Sequence, residues 1–358
     1  MAMDENEILD DGFDANEELY QKLVYQTDKG QEPLRIDKYL MNRVEGATRN
    51  KIQQAIHDNL VLVNGDPIKP NFKVKGVMEI VVYSSNNPDT NEILPQNIPL
   101  KITYEDDQII IVNKEPGMVV HPGSGNPDQT LLNAIAYHLQ LQNPEITEET
   151  LPRFGLVHRI DKNTSGLLVM AKTDTAMREL AKQFYDHTVS RKYVALVWGD
   201  VQEDEGTIVA HVGRHQRFRK LFEAYPDGDH GKDAITHYKV LERFGYVTLV
   251  ECVLETGRTH QIRVHMKFIG HPLFNDDFYG GDRIVKGTVY SKYKQFVDNC
   301  FEICSRQALH AKTLGFIHPG TQKPIYFDSE IPADLQTVID KWRNYVQHNR
   351  SKMVGLDD

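Results

Sequence analysis

Residues 155–172, Gly-Leu-Val-His-Arg-Ile-Asp-Lys-Asn-Thr-Ser-Gly-Leu-Leu-Val-Met-Ala-Lys, constrain this chain more than any other stretch. Leu156 and Val157 lead into a charged triplet, His158, Arg159 and Asp161. Thr164, Ser165 and Gly166 then turn the chain, and the apolar run Leu167 to Ala171 is short and continuous enough for a buried strand. A strand leaving such a turn pins it to a rigid scaffold, which suits a side chain that must be held in place. A carboxylate among bases, beside a corner of small residues, is a candidate for chemistry. A structural ion pair produces the same pattern, and spacing alone does not separate the two readings.

A chain of 358 residues has room for two or three domains, one of them with a substantial core. No apolar run approaches the ~20 residues needed to span a bilayer. The first residues lack the basic start and apolar stretch of a secretory signal, so the expected compartment is cytoplasmic. Cys252, Cys300 and Cys304 cannot all pair and read as reduced thiols, and one Cys-x3-Cys spacing is weak evidence for a metal. The net charge of −10 argues against a nucleic-acid partner at first sight. Its distribution points the other way: residues 1–20 hold eight carboxylates and no Lys or Arg, while residues 34–80 hold eight Lys and Arg against five Asp and Glu.

Taken in order, residues 1–20 read as a disordered acidic tail. Residues 21–83 read as a small domain. In it Leu34 to Leu40 has helical spacing, Thr48 can cap a second helix over Arg49–Asp58, and strands are expected at Leu60–Val63 and near Met78–Tyr83. Asn64-Gly65 is a type I′ hairpin signal. Ser84 to Pro99, rich in Ser, Asn, Pro and Asp, reads as a linker. A large domain then spans residues 100–348, and 349–358 read as a tail. Its opening strands are expected at Lys101–Tyr104 and Gln108–Asn113, followed by a Pro-Gly turn and a second short strand before Gly123. Thr130 is placed to cap a helix over Leu131–Leu141, Thr173 or Asp174 another to about Tyr185, and Thr259 a third over His260–Ile269. Arg191 to Gly199 alternates as a strand, and Ala333–His348 closes the chain as a helix. His121, followed by Pro122-Gly123, reads as a structural histidine, and residues 281–305 carry no readable role.

His158-Arg-Ile-Asp-x-x-Thr-Ser-Gly-Leu-Leu168 resembles the active-site motif of the RluA-type pseudouridine synthases. Thr256-Gly-Arg-Thr-His-Gln-Ile-Arg263 is similar to another motif of that family at every position. Lys192-Tyr193 matches a third site, and Asn113-Lys114 a fourth, with Glu115 where the family has proline. A further departure is Asn275 in the place of a glycine, at a turn that Asn's tolerance of left-handed backbone can preserve. The resemblance covers roughly residues 34–340 and is closest to the RluD-like enzymes of large-subunit ribosomal RNA, the alternatives being the same chemistry on transfer RNA or a non-catalytic RNA-binding assembly protein. Residues 21–83 resemble an S4 RNA-binding domain.

The resemblance implies an α+β fold, a mixed and mostly antiparallel sheet flanked by helices, with a small N-terminal S4 domain. It implies Asp161 as nucleophile or stabiliser of a cationic sugar, Tyr193 stacked on the target uracil, and Arg263 as a bidentate partner that keeps Asp161 ionised. Ile262 would pack beside the base, with further substrate contacts at Arg159, His158, Thr164 and Arg258. RNA contacts are expected at Arg35, Arg49 and Lys51 of the small domain, and at Arg217, Arg219 and Lys220 of a basic loop. No cofactor and no metal are expected, since the isomerisation needs neither redox change nor group donor. The expected partner is structured RNA, bound by a monomer.

Overall fold

The computed structural model describes residues 21–44, 49–57, 60–84, 93–123, 126–218, 221–287 and 290–354. The acidic stretch 1–20 and the Thr48 cap lie outside these residues. The small unit runs β1 (Gln21–Gln26), β2 (Leu34–Arg35), α1 (Ile36–Met41), α2 (Arg49–His57), β3 (Val61–Val63), β4 (Asp66–Pro67), β5 (Lys73–Val74) and β6 (Glu79–Ser84). Ile36, Tyr39, Leu40, Ile52 and Ile56 of its helices pack on Val61, Val63, Val74, Ile80 and Val82. Asn64 and Gly65 take φ of 51° and 86°, the two positive values a type I′ turn requires. The first helix begins at Ile36 instead of Leu34, because Leu34 and Arg35 pair with Val74 and Lys73 as a short strand. Sequence periodicity missed β1, whose partner β6 lies far along the chain.

The large unit is built on a nine-stranded sheet in the order β11-β14-β15-β10-β16-β9-β8-β7, with β17 paired to β16. These strands are β7 (Ile102–Glu105), β8 (Ile109–Lys114), β9 (Ser165–Ala171), β10 (Ser190–Trp198), β11 (Glu205–Val209), β14 (Ile235–Arg243), β15 (Val247–Leu254), β16 (Leu309–Ile317) and β17 (Pro324–Asp328). A separate ribbon, β12 (His211–Arg214) with β13 (Phe222–Tyr225), carries the basic loop at its tip. Pairing is antiparallel throughout except between β16 and β9. No strand forms between the Pro-Gly turn and Gly123, where the sequence predicts one; Leu131 and Leu132 take the Val119 and Val120 carbonyls instead.

The alternation of β10 shows why this sheet is covered on both faces. Tyr193, Ala195 and Val197 point into one core, shared with α3 (Leu131–Gln142) and α4 (Asp174–Tyr185). Val194, Leu196 and Trp198 point into the other, shared with α6 (Ser291–Ile303) and α7 (Ala333–Val354). The period of two sends successive residues to opposite faces. Residues 281–305 thereby acquire a role: Tyr293, Val297 and Cys300 of α6 cover Trp198, Phe274 and Trp342. Thr130 caps α3 in a reciprocal box with Asn133, and Thr173 caps α4. Described residues 93–99 of the expected linker are tied to α3, with Ile93 buried, Asn133 Nδ2 donating to the Leu94 carbonyl at 2.8 Å and Gln96 N–H donating to the Asn133 carbonyl at 2.9 Å. The last helix continues past His348 to Val354, into the expected tail.

The β9–β16 junction depends on one glycine. Gly166 has φ +121°, and a Cβ there would stand 2.2 Å from the Ala311 carbonyl oxygen of the parallel neighbour. Both the backbone and the space exclude a side chain. We expect Gly166→Ala to destabilise the fold by about 3 kcal/mol or more, read as a fall in the thermal unfolding midpoint; an unchanged midpoint would contradict the packing described.

Candidate active site

Asp161 stands in the loop that precedes β9, and its neighbours are fastened from two sides. Lys114, at the end of β8 and 1% exposed, donates from Nζ to the carbonyls of Glu115, Met118 and Lys162, each at 2.9 Å. Gly117 N–H also donates to the Lys162 carbonyl at 2.9 Å. From the other side Arg306 donates from Nη1 to the Asn163 carbonyl at 3.0 Å, while Asp334 holds its fork at 2.8 and 3.1 Å. Thr164 closes the turn by donating its N–H to the Asp161 carbonyl at 3.0 Å. The Asn-Lys motif therefore acts as a clamp on this loop, in keeping with a role in shaping the site's floor.

α5 (Gln261–Phe268) delivers Arg263 to the same point. Its Nη1 donates to Asp161 Oδ2 at 3.0 Å. The bidentate fork goes elsewhere: Nε and Nη2 donate to Asp276 Oδ2 and Oδ1 at 2.8 and 2.9 Å. This corrects the expectation that Asp161 would receive both arms. Asp276 is fully buried and further anchored by the N–H groups of Phe278 and Tyr279, so it fixes the guanidinium. Asp161 thus spends one oxygen on Arg263 and keeps Oδ1 toward the cleft, 3.9 Å from His260 Nε2.

The charge state of Asp161 follows from a contest. Burial by itself would raise its pKa, but the surrounding positive field, from His260, Arg263 and Arg159, brings it below the ordinary carboxylate value. Burial lowers His260 to about 4, so at neutral pH that imidazole is uncharged and the arginines supply the field. Burial acts against Arg263 too, yet the two carboxylates raise it overall.

His260 also corrects the expected helix start. The helix begins at Gln261, and His260 sits before it with φ 55° and ψ 16°, a left-handed conformation, without a side-chain cap from Thr259. Its ring explains the geometry: Nδ1 is hydrogen-bonded to the Tyr279 hydroxyl at 2.7 Å while Nε2 faces Asp161. Gln261 closes the turn instead, its Oε1 accepting from Arg258 N–H and the Thr256 hydroxyl, each at 2.9 Å. Strain of this kind gathers at sites where position matters. Asn275, the residue that departs from the family pattern, is also left-handed at φ 57° and keeps its turn.

Around Asp161 the cleft is lined by Tyr193, Ile262, Arg159, His158, Thr164 and Arg258. Tyr193 is 7% exposed, and burial raises its pKa. His158 is buried, accepts from Val169 N–H at 3.1 Å and stacks on Phe184 at 4.4 Å; burial and the Arg191 charge bring it down to about 3. Arg258 is anchored to the Asp233 carbonyl at 2.9 Å. In the small unit, Arg35 and Arg49 both reach the buried Asp37, at 2.8 and 3.3 Å, while remaining partly exposed. Arg217 is exposed at the ribbon tip. Arg219 and Lys220 lie outside the described residues, as does the side chain of Lys51. Sequence reasoning placed Lys114 in a motif but gave no role in the site to Tyr279, Arg306 or Asp276. Only the fold brings the last three to the loop.

The family profile described as RNA pseudouridylate synthase matches residues 108–268, and that of the S4 domain matches residues 34–81. An RNA pseudouridine synthase of Chlorobaculum parvum is 44% identical over 330 residues, covering 92% of this chain and 100% of the relative. The chain belongs to the RNA pseudouridylate synthase family. The enzyme is also 41% identical over 305 residues to ribosomal large subunit pseudouridine synthase D of Zymomonas mobilis, covering 84% of this chain and 92% of that one. A solved structure, human RNA pseudouridylate synthase domain containing 4, shares the fold with a TM-score of 0.51 at 19% identity, over 68% of this chain and 92% of that chain.

Two measurements follow from the geometry. We expect Asp276→Asn to slow the chemical step by about 10²-fold, the scale of losing one oriented stabilising group, with RNA affinity held within about threefold; an unaltered single-turnover rate would deny Asp276 its positioning role. We also expect the chemical step to be flat between about pH 5.5 and 8.5. Above the lowered pKa values Asp161 is already ionised and His158 and His260 already neutral. A break near pH 6.5 that vanishes in His260→Gln would contradict this.

Proposed function

We propose that this synthase acts on large-subunit ribosomal RNA, with Asp161 meeting the anomeric carbon of the target uridine. The observation that carries the assignment is the ionised Asp161 at the cleft, held through one oxygen by Arg263 and keeping the other toward the cleft. Pseudouridine formation breaks the C1′–N1 bond, turns the uracil and rejoins it through C5. A fixed anion beside C1′ serves that step either as a nucleophile or by stabilising a cationic sugar. Tyr193, which lines the cleft together with Ile262 and Leu309, offers a ring face for the uracil, and a target base taken out of its stack can enter there. The similarity to synthases D of the large ribosomal subunit supports the choice of RNA.

The S4 unit, spanning about residues 21–83, would dock a stem-loop of that RNA through phosphate contacts at Arg35, Arg49 and Lys51. Their tie to Asp37 holds Arg35 and Arg49 near each other, which suits a fixed phosphate spacing. Arg217 at the ribbon tip, with Arg219 and Lys220 following it in sequence, would supply a second backbone contact, with Arg159, His158, Thr164 and Arg258 nearer the target nucleotide. The rest of the reading is a monomer working in the cytoplasm, where ribosomal RNA is matured; no described helix is long and apolar enough to cross a membrane. Tritium release from RNA labelled at uridine C5 tests the proposal. We expect release from large-subunit transcripts, little from transfer RNA, and none with Asp161→Ala, whose RNA binding should stay within about threefold. Release from transfer RNA alone would overturn the substrate, and turnover by Asp161→Ala would overturn the site.

A further inference from the structure

Arg191, at the start of β10, is a buried cation that forms no ion pair among the described residues. It is 8% exposed, and its Nε has no hydrogen-bond partner. The guanidinium lies 5.4 Å from the ring of Phe184 and beside the backbone of Gly257, within the electrostatic reach of Tyr193 and His158. Gly257 leaves room for it, since a Cβ there would fall 2.9 Å from Nη1. A guanidinium taken out of water without a counter-ion is costly to the fold, and natural structures tolerate it where a ligand completes the pairing. Arg191 lines the same cleft as Asp161 and Tyr193. A second orphan stands on the same ring: with Nε2 of His158 accepting from Val169, its buried Nδ1 has no partner either. Two buried nitrogens without partners on one side of a cleft call for an acceptor from outside.

We propose that Arg191 is a further catalytic residue, donating to a ring carbonyl of the target uracil and stabilising the negative charge that the base acquires when it leaves C1′. The inference rests on the reading of Asp161 and Tyr193 given above. When C1′–N1 breaks, the electron pair departs with the uracil and spreads onto its O2 and O4, while Asp161 meets the electron-poor C1′. After the base turns, C5 bonds to C1′, the C5 proton passes to water, and N1 takes up a proton. The sum is an isomerisation that gains and loses nothing. A pre-oriented cation at the developing oxyanion contributes most when charge is largest, so its effect falls on the rate. Depth favours the base over a phosphate as its target. Arg159 and Arg258 are the less buried arginines of the cleft, whereas Arg191 lies on the strand that carries Tyr193. A guanidinium on the base side also complements an Asp161 on the sugar side.

The test uses the full-length protein and a transcript that the wild type converts, carrying uridine or 5-fluorouridine at the target. Fluorine draws electrons from the ring, so the departing uracil carries its charge with less help. Consumption of the target nucleoside is followed under single turnover by nuclease digestion and mass spectrometry, and Kd by filter binding. For Arg191→Met we expect about a 10²-fold slower step with uridine, as for the loss of one oxyanion donor. The deficit should shrink below about tenfold with 5-fluorouridine, and Kd should move by less than about threefold. If Arg191→Met does not fold, Gly257→Ala displaces the guanidinium without deleting it, and the same narrowing between substrates is expected. An equal deficit on both substrates, or a weakened Kd with the saturated rate intact, would overturn the inference, the latter in favour of a phosphate contact. A wild type that converts uridine while these variants behave alike on both substrates sinks only the role of Arg191. A wild type that converts no uridine sinks the parent reading with it.

Discussion

The site depends on a buried guanidinium shared unequally between two carboxylates. Arg263 gives its fork to Asp276 and a single arm to Asp161. The fork fixes the arginine, because a bidentate pair sets direction as well as distance. The single arm leaves Asp161 with an oxygen free to act. Had the fork closed on Asp161, the arginine would have held both of its oxygens. Removing charges from water is expensive, and this cluster is stable as a unit because backbone N–H groups and Tyr279 surround it.

The scaffold serves that arrangement. Asp161 and Arg263 are far apart in sequence and come from a loop before β9 and a helix after β15. β9 is a fully buried central strand, flanked by β8 and β16, so the loop leading into it cannot drift. Lys114 and Arg306 extend the same control beyond the sheet by seizing the carbonyls of Lys162 and Asn163. Both are buried cations that hold backbone oxygens, Arg306 while its fork rests on Asp334. Reading Lys114 as a proton donor would miss this, since its three hydrogen bonds are all committed.

Much of this was legible in the residues. Strands such as β9 and β10 declare themselves by continuous or alternating apolar residues, and Thr130 and Thr173 mark their helices by cap chemistry. Asp161, Arg263 and Tyr193 were reached through motifs, and the fold brings all three to one cleft. What escaped depends on long-range geometry. The β1 strand has no meaning without β6, and a two-residue strand such as β2 displaces a helix start only because Val74 is there to pair with it. Thr259 was a plausible cap by composition, but His260, bonded to Tyr279, takes a left-handed backbone before the helix, and Gln261 closes the preceding turn. Asp276 carries no local sign of its partner, and the sharing of Arg263 between two acids follows only from three elements meeting.

The most direct test is the titration of the Asp161 carboxyl itself. Selective ¹³C labelling of aspartate, with Asp161→Asn used to assign the resonance, would follow its ionisation by NMR across the acid range in which the protein stays folded. If the arginines outweigh burial, the midpoint lies below the ordinary carboxylate value of 3.8, and Asp276→Asn changes it by loosening Arg263. A midpoint above 3.8 in the wild type would mean that burial wins, and that the Arg263 contact does not hold Asp161 ready as an anion.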